Sequence, residues 1–328
     1  MKKFIKEHIG YIVCIIITLF CCLYEFPYYI NTPGGTDNIN EKVVVEDGYK
    51  AKGSINLTYV SEVKAILPML ILAKIHPDWE IVKKETKKDS LLDYDESMAR
   101  QKVLVKQSYS TAIKYAYEKA KKDVNVTKEN CYVIYVFDDA ETELKIGDQI
   151  LKVDDIELKK CDNIEDAKKK LSLNDVSTVK ILRNGKELTK TIKYKKIQNI
   201  NAYGIQLATE YILETNPKHK IKYSSKEYGP SGGLMVSLSV YNSLVSKDIT
   251  KGKKIAGTGT LDVEGNVGSI GGVEFKLKGA VKNRVDVFFV PAGENYEAAK
   301  KLKEKKKYKI DLVEVKTFED ALDYLEKM

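Results

Sequence analysis

The sequence contains very little arginine. Among 55 basic residues, only Arg100, Arg183 and Arg284 are arginines, and the others are lysines. The formal net charge is +8, but the lysines are scattered and interleaved with aspartate and glutamate. Proteins that bind nucleic acids usually concentrate arginine and aromatic residues in one basic stripe. The composition therefore predicts a solvated surface and no nucleic-acid partner.

Histidine is also scarce, which limits the catalytic groups that the chain can assemble. The stretch EYGPSGGLMVSL places Ser231 between Gly-Pro and Gly-Gly, ahead of an apolar run. Serine is common at helix starts, so Ser231 is either a helix cap or a nucleophile. His8, His76 and His219 all precede it, whereas the α/β-hydrolase triad requires its histidine after the serine. That triad is excluded, and a triad of another order remains open.

Cysteines are few and form no recognisable cluster. Cys14, Cys21 and Cys22 fall in one apolar run, whereas Cys131 and Cys161 stand apart from each other. No Cys-x-x-Cys pair or His/Cys cluster is present, so the sequence predicts neither a metal nor a cofactor. It favours two free thiols at Cys131 and Cys161 over a disulfide between them. A Gly-x-x-x-x-Gly-Lys-Ser/Thr loop is also absent, and no ATP site is expected.

One uncharged apolar segment lies near the N-terminus. Residues 9–24 carry no formal charge, and Phe26 with the neighbouring tyrosines extends the segment toward a membrane interface. The segment predicts contact with a lipid bilayer through residues 9–26. It is not followed by a small-x-small cleavage site, so an uncleaved anchor is favoured over a signal peptide.

Basic residues set the expected orientation of this anchor. Lys2, Lys3 and Lys6 precede the apolar segment, and the positive-inside rule then keeps the N-terminus in the cytoplasm. We expect residues 1–30 to form a cytoplasmic tip and a single transmembrane helix in the cell membrane. The rest of the chain would be extracytoplasmic.

Residues 31–125 are predicted to form an extracytoplasmic region of strands and helices that packs on the other domains. The β-branched residues of KVVVE and SINLTYV favour strands. A short helix is expected over residues 61–75, stopped by Pro77, and a longer one from about Ser97 to Lys121. In the longer helix, apolar residues recur at helical spacing on one face: Val105, Tyr109, Ala112, Ile113 and Ala116.

Residues 126–198 form a separate block. The strand pattern CYVIYVF is followed by a Gly147-Asp148 turn, a second apolar strand, a short helix and a hairpin at Asn184-Gly185. This order resembles a bacterial PDZ domain, although a Gly-Leu-Gly-Phe loop is missing. Such domains bind extended peptides by adding a strand to a sheet edge. A small sheet that only spaces or gates its neighbour is an equal alternative.

Residues 199–328 alternate strand and helix patterns. Three apolar residues follow Ser231 at i+3, i+4 and i+7, which places the serine on the inward face of the next helix: Leu234, Met235 and Leu238. A surface cap has no need of that position. This segment is therefore the candidate catalytic part of the chain.

A lysine is the remaining type of base for this serine. In a helix from about Gly272 to Lys282, Lys276 lies at the edge of an apolar arc and is placed to be half-buried. To accept a proton, its pKa must fall from about 10.4 to near 7–8, which requires roughly 4 kcal/mol from a desolvated site. A lysine that extends its ammonium group to solvent is the alternative.

The motifs GPSGG, GTGT and GSIGGVEFK together resemble the proteolytic domain of Lon proteases. The resemblance implies that Ser231 is the nucleophile and Lys276 the base, with Thr258 close to the lysine. Three further residues are expected to support the nucleophile: Gly229, Pro230 and Gly232. Gly232 stands where the family usually has alanine, and Thr260 stands where it usually has glutamate.

The order of the segments resembles the membrane-anchored, PDZ-containing Lon-like proteases of Gram-positive bacteria. The implied fold is α+β and multidomain, with an N-terminal transmembrane helix, a PDZ-like domain at 126–198 and a Lon-type proteolytic domain at 199–328. The implied activity is ATP-independent serine endopeptidase cleavage of extended segments in secreted or membrane-associated peptides and proteins. No particular oligomeric state is implied. The alternative is a catalytically inactive, membrane-anchored PDZ module that binds peptides.

Overall fold

The computed structural model describes residues 2–86, 90–223 and 228–328. The helices are α1 (Lys2–Leu23), α2 (Leu67–Ile75), α3 (Tyr94–Lys119), α4 (Asn163–Lys168), α5 (Gly233–Leu244), α6 (Val273–Lys282), α7 (Glu294–Lys306) and α8 (Phe318–Lys327), with a 3-10 turn at Ile39–Glu41. The strands are β1 (Tyr28–Asn38), β2 (Val43–Val45), β3 (Ser54–Lys64), β4 (Glu80–Lys83), β5 (Asp123–Val136), β6 (Gln149–Val153), β7 (Ile156–Glu157), β8 (Val176–Arg183), β9 (Lys186–Lys193), β10 (Lys195–Ile197), β11 (Ile200–Ala202), β12 (Ile205–Asn216), β13 (His219–Ile221), β14 (Lys254–Gly257), β15 (Thr260–Leu261), β16 (Val267–Gly268), β17 (Val287–Pro291) and β18 (Asp311–Val315).

The unit that carries the predicted catalytic residues is built on a central sheet. Within the described residues its strand order is β18-β17-β14-β3-β1-β4. β18, β17, β14 and β3 pair in parallel, whereas β1 pairs antiparallel with β3 and β4. The core of the unit joins Leu57 of β3 to Met235 of α5 and Phe289 of β17. Segments that are far apart in the sequence therefore form one sheet.

The domain boundaries expected from the sequence differ from this arrangement. The region 31–125 does more than pack on other domains, since it supplies β3 and most of β1, as well as β4, to the central sheet and α3 to its core. Residues 205–216, assigned above to the proteolytic domain, form β12 and pair with β5 along its length. Local alternation of apolar residues identifies a strand but not its partner, so the sequence did not reveal these pairings.

The PDZ-like unit contains a second sheet. Within the described residues its order is β12-β5-β6-β8-β9, and β7 pairs with β6. Ile150 and Ile181 lie in its core, together with Ile164 of α4. The predicted hairpin is confirmed, because β8 and β9 pair on either side of Asn184-Gly185.

The predicted helix over residues 61–75 is wrong in its first part. Residues up to Lys64 continue β3, because they pair with β1, and α2 begins only at Leu67. The longer predicted helix is confirmed as α3, which starts at a capping box between Asp93 and Glu96. The face predicted to be apolar is buried: Val105, Tyr109, Ala112, Ile113 and Ala116.

Residues 9–23 of the segment predicted to anchor the chain lie in α1, which ends at Leu23. Several of its apolar side chains are exposed, including Ile15, Phe20 and Leu23. In the part of the chain that the structure describes, no helix combines the length and the apolar character needed to cross a membrane.

The expectation of two free thiols at Cys131 and Cys161 is wrong, because these residues form a disulfide. Cys131 lies in β5, and Cys161 lies just before α4 with its N–H donating to the Glu129 carboxylate of β5 over 3.0 Å. The Cα atoms are 5.4 Å apart, which is within the usual range for a bridged pair. A sequence separation of 30 residues concealed this proximity.

Loss of the disulfide is expected to destabilise the PDZ-like unit. In the chain-entropy account, a bridge across 30 residues contributes about 3–4 kcal/mol to the free energy of unfolding. Chemical denaturation of the full chain with Cys131→Ser and Cys161→Ser, compared with wild type, measures this loss. Wild type kept in reductant should unfold like the double variant, and identical unfolding of all three would contradict the prediction.

Candidate active site

Ser231 lies in the turn that leads into α5. Gly229 has a φ of +89°, a left-handed conformation that residues with side chains rarely adopt, and its N–H donates to the Gln101 carbonyl over 3.3 Å. The Ser108 hydroxyl donates to the Pro230 carbonyl over 2.8 Å. Two residues of α3 therefore fix the path of the backbone just before the serine.

The serine side chain does not cap the helix. The N-cap residue of α5 is Gly232, and no side chain caps this end. Ser231 Oγ lies instead 2.8 Å from Lys276 Nζ. Of the two interpretations of the GPSGG stretch, the helix cap is therefore wrong, and the hydroxyl is placed beside a lysine amine.

Lys276 is buried more deeply than the sequence predicted. Its side chain is on α6 and is only 5% exposed, although an edge position predicted half-burial. The buried residues Val273, Leu277 and Ala280 flank it on the same helix. Burial lowers the pKa of Lys276 from 10.5 to about 8. No carboxylate among the described residues pairs with its ammonium group, so no ion pair offsets this desolvation.

Thr258 connects the lysine to the backbone of the serine. Its hydroxyl is fully buried, lies 3.0 Å from Lys276 Nζ and donates to the Ser231 carbonyl over 3.1 Å. The Gly259 N–H donates to the same carbonyl over 2.8 Å. Because the Thr258 proton is used on the carbonyl, its oxygen can only accept from Nζ. A neutral Nζ is thereby left with its lone pair available for Ser231.

Two backbone N–H groups lie in the turn that carries the serine. Across the described ranges, the N–H groups of Ser231 and Gly232 donate to no protein acceptor. They stand at the N-terminus of α5, where the helix dipole favours a negative charge. This arrangement can stabilise an oxyanion that forms at a carbon attacked by Ser231.

A cleft of about 660 Å³ opens over the serine and the lysine. One wall is formed by Gln101, Val105 and Tyr109 of α3, which share one face of that helix. The other wall is β3, which pairs with β14 only along Ser54–Leu57. Beyond Leu57, β3 has no strand partner on that side within the described residues. An extended peptide could therefore pair with this open edge.

The histidines lie outside this cleft. His76 stacks on Trp79, and the His219 ring contacts the Thr215 hydroxyl over 2.8 Å. Neither lines the cleft, so the triad of another order is not assembled. In the described ranges, no group of three or more potential ligands is placed to hold a metal ion.

The sequence located the residues at the centre of the site but not those around them. Ser231, Lys276 and Thr258 come together as the resemblance implied, and Gly229, Pro230 and Gly232 form the turn around the serine. Gln101 and Ser108 were missed, because the Gln101 contact is made by its backbone carbonyl and the Ser108 contact reaches a residue far away in the sequence. The only available signal was that Ser108 falls on the buried side of α3, where a hydroxyl needs a partner.

Two family models match parts of this chain. Residues 222–327 match the Lon protease (S16) C-terminal proteolytic domain, and residues 104–194 match the PDZ domain. The chain therefore contains a Lon-type proteolytic domain and a PDZ domain in a mixed α/β protein, and the former supports serine peptidase activity. The PDZ match begins within α3, earlier than the expected boundary at residue 126.

Two curated relatives are similar over part of the chain. The Lon protease of Aster yellows witches'-broom phytoplasma (strain AYWB) is 29% identical over 93 residues, which is 28% of this chain and 11% of that protein. The Lon protease of Mesomycoplasma hyopneumoniae (strain 232) is 29% identical over 99 residues, which is 30% of this chain and 11% of that protein. The chain thus matches about a tenth of the length of each relative.

Proposed function

We propose that this chain is an ATP-independent serine endopeptidase that uses Ser231 and Lys276 as a catalytic dyad. The observation that carries the proposal is the 2.8 Å separation between Ser231 Oγ and the Nζ of a buried lysine. Burial lowers the pKa of Lys276 to about 8, so roughly a tenth of the molecules hold a neutral amine at pH 7. A lysine at its ordinary pKa of 10.5 would supply about 300 times fewer neutral molecules at the same pH.

In the first half of the reaction, Ser231 Oγ forms a bond to the scissile carbonyl carbon while its proton passes to Lys276 Nζ. The carbonyl oxygen becomes negative and accepts from the N–H groups of Ser231 and Gly232. The carbon–nitrogen bond then breaks, and Nζ returns the proton to the departing amine. The product of this half is an ester between the substrate's acyl group and Ser231.

In the second half, a water molecule replaces the departed amine. Lys276 Nζ accepts a proton from the water as its oxygen bonds to the ester carbon, and the proton then moves to Ser231 Oγ as the ester bond breaks. Thr258 accepts from Nζ throughout, which holds the lone pair toward the reacting atoms. Thr258 is thus a positioning residue in this proposal.

The expected substrates are extended segments. The open edge of β3 beside the cleft supports binding of a peptide as an added strand, which requires the bound segment to be extended. The absence of an ATP-binding loop from the sequence agrees with cleavage of segments that are already unfolded. We propose short peptides and the flexible parts of secreted or membrane proteins as substrates, with the PDZ unit delivering or gating them.

A serine-reactive phosphonate probe tests the nucleophile. Full-length wild type is expected to be labelled and to cleave an unstructured peptide, with both signals rising from pH 7 to pH 9. Ser231→Ala should lose both, whereas Ser237→Ala should keep the label because Ser237 donates to the Leu234 carbonyl inside α5. If wild type is not labelled anywhere in this pH range, the inactive peptide-binding module becomes the better interpretation.

We further propose that the chain is anchored at a cell membrane with its catalytic unit outside the cytoplasm. Exposed apolar side chains on α1 continue onto α2, where Ile71 is 53% and Ile75 is 75% exposed. α1 and α2 contact each other, so the two helices form one apolar surface. The Cys131–Cys161 disulfide also supports an oxidising compartment.

The single tryptophan offers a direct test of this membrane contact. Trp79 follows α2 closely and stacks on His76. When the protein binds vesicles of lipids with brominated acyl chains, Trp79 fluorescence should be quenched, because α2 would lie at the bilayer surface. Ile71→Gln with Ile75→Gln should weaken the quenching. Unquenched fluorescence from protein that floats with the vesicles would show that α2 does not touch lipid.

A further inference from the structure

A second and larger groove adjoins the catalytic cleft. Its volume is about 1160 Å³, and it shares Tyr59, Val60 and Tyr228 with the cleft. Its floor continues along β3 from Val60 to Lys64, which is the part of that strand without a partner on the β14 side in the described ranges. A peptide paired with this edge would therefore pass from the cleft into the groove.

α3 forms the ridge between the two spaces. Gln101 and Val105 face the cleft, whereas Met98, Lys102 and Lys106 line the groove at intervals of four residues. One face of α3 thus lines the catalytic cleft, and the neighbouring face, which carries two lysines, lines the groove. The same peptide would contact both faces.

The groove has more cationic than anionic side chains, and most of the anions are occupied. Six cationic residues line it: Lys64, Lys84, Lys102, Lys106, Lys145 and Arg183. Four acidic residues line it: Glu25, Glu62, Asp95 and Asp148. Lys64 pairs with Glu25, Arg183 pairs with Asp148, and the Tyr94 hydroxyl donates to Glu62. Within the described ranges, this leaves Asp95 as the acid of the groove without such a contact.

Two of the lysines are exposed and have no acidic partner among the described residues. Lys102 lies over the ring of Tyr228, 5.5 Å from its centroid, at the junction with the catalytic cleft. Lys145 lies in the turn before β6 of the PDZ unit, and Gly147 of that turn approaches Ala99 of α3. The two ammonium groups therefore come from different domains but border one groove.

We propose that this groove binds aspartate or glutamate side chains of the peptide whose scissile bond lies at Ser231. Two cations with no acidic partner among the described residues, beside an open strand edge, are complementary to carboxylates on an extended segment. A paired strand advances by about 3.3 Å per residue, so the stretch from Val60 to Lys64 accommodates about four residues on one side of the scissile bond. The inference rests on the proposed function, and it makes Lys102 and Lys145 specificity-determining residues.

Paired peptides of equal length test this preference. One fluorogenic peptide carries glutamates at the second to fifth positions from the scissile bond, and its twin carries glutamines. Full-length wild type is expected to show a kcat/KM ratio of roughly 5 to 10 in favour of glutamate, since each exposed ion pair contributes modestly. Lys102→Glu with Lys145→Glu should bring the ratio to one or below. Lys301→Glu with Lys305→Glu, an exposed pair on α7 with the same charge change, should keep the wild-type ratio.

Binding separates this inference from the proposed function. Full-length Ser231→Ala is titrated with each fluorescent peptide at low and high salt, which requires no cleavage. Ser231→Ala is expected to bind the glutamate peptide more tightly than its twin, and salt should weaken this preference. The preference should be lost when Lys102→Glu and Lys145→Glu are added to Ser231→Ala. This result supports binding of acidic side chains in the groove even if wild type cleaves neither peptide. Equal affinity for both peptides, or a preference that the two lysine substitutions leave intact, overturns it even if wild type is an active peptidase.

Discussion

Lys276→Met is expected to abolish peptide cleavage while leaving the fold intact. Methionine has nearly the length of lysine but cannot accept the serine proton, so kcat/KM should fall by about a thousandfold or more. The surroundings of residue 276 are apolar enough to receive it, because Val273, Leu277 and Ala280 are buried beside it. The measurement is cleavage of an unstructured peptide by the full chain, together with thermal melts.

Lys276→Met should not lower the free energy of unfolding, because it removes a buried amine whose protonation costs stability. In the folded protein the pKa of Lys276 is about 8, whereas in the unfolded chain it returns to about 10.4. Below pH 8 both states are protonated, and folding bears the full cost of the buried charge, about 3 kcal/mol. Between pH 8 and about 10.4 only the unfolded state holds the proton, so this cost is progressively relieved.

Wild type should therefore gain stability relative to Lys276→Met as the pH rises from 7 to 9.5. Activity of wild type should rise tenfold per pH unit below pH 8 and level off above it, because only the neutral amine accepts the proton. Lys282→Met is the matched control, since Lys282 is an exposed residue of the same helix. Cleavage retained by Lys276→Met would remove Lys276 from the mechanism.

Gly233→Ala is expected to impair catalysis severely, and Gly232→Ala is not. A Cβ at Gly233 would lie 2.8 Å from the backbone nitrogen of Leu261 and 3.0 Å from Ser108 Oγ. The Leu261 nitrogen is a backbone atom and cannot move away by a side-chain rotation, so the start of α5 must move. Such overpacking costs about 1–3 kcal/mol, and a displacement of the nucleophile near 1 Å can reduce the rate about a hundredfold.

The adjacent glycine supplies the control for this effect. A Cβ at Gly232 would meet the end of the Leu57 side chain at 3.2 Å, and that side chain can rotate. The φ of Gly232 is −94°, which alanine adopts freely. We expect Gly232→Ala to retain cleavage within a few-fold of wild type, in line with the alanine usual at this place in Lon proteases. Equal activity of the two variants would contradict the packing argument.

The sequence revealed the parts of the site that depend on local periodicity. The inward position of Ser231 follows from the apolar residues of the next turns, and the placement of Lys276 follows from one helical arc. Both are properties of a single helix, so they can be read from consecutive residues. The pKa of the lysine was accordingly predictable in direction from its expected burial.

The parts that were missed depend on long-range pairing. The cleft wall on β3, the Ser108 contact of α3 and the Cys131–Cys161 bridge each join segments separated by many residues. A strand pattern in the sequence does not identify the strand with which it pairs. The positions of two cysteines in the sequence do not indicate the distance between them in the fold. The same limitation explains why β12 was assigned to the wrong unit.

The PDZ unit is inserted into the unit that carries Ser231 and Lys276. The chain leaves that unit after α3 and returns to it at β13, and Asp123 and Asn216 are cross-strand partners where the PDZ unit begins and ends. The Tyr117 hydroxyl of α3 donates to the Pro217 carbonyl at this junction. Entry and exit thus lie side by side, and all six strands in the described central sheet come from residues outside 123–216.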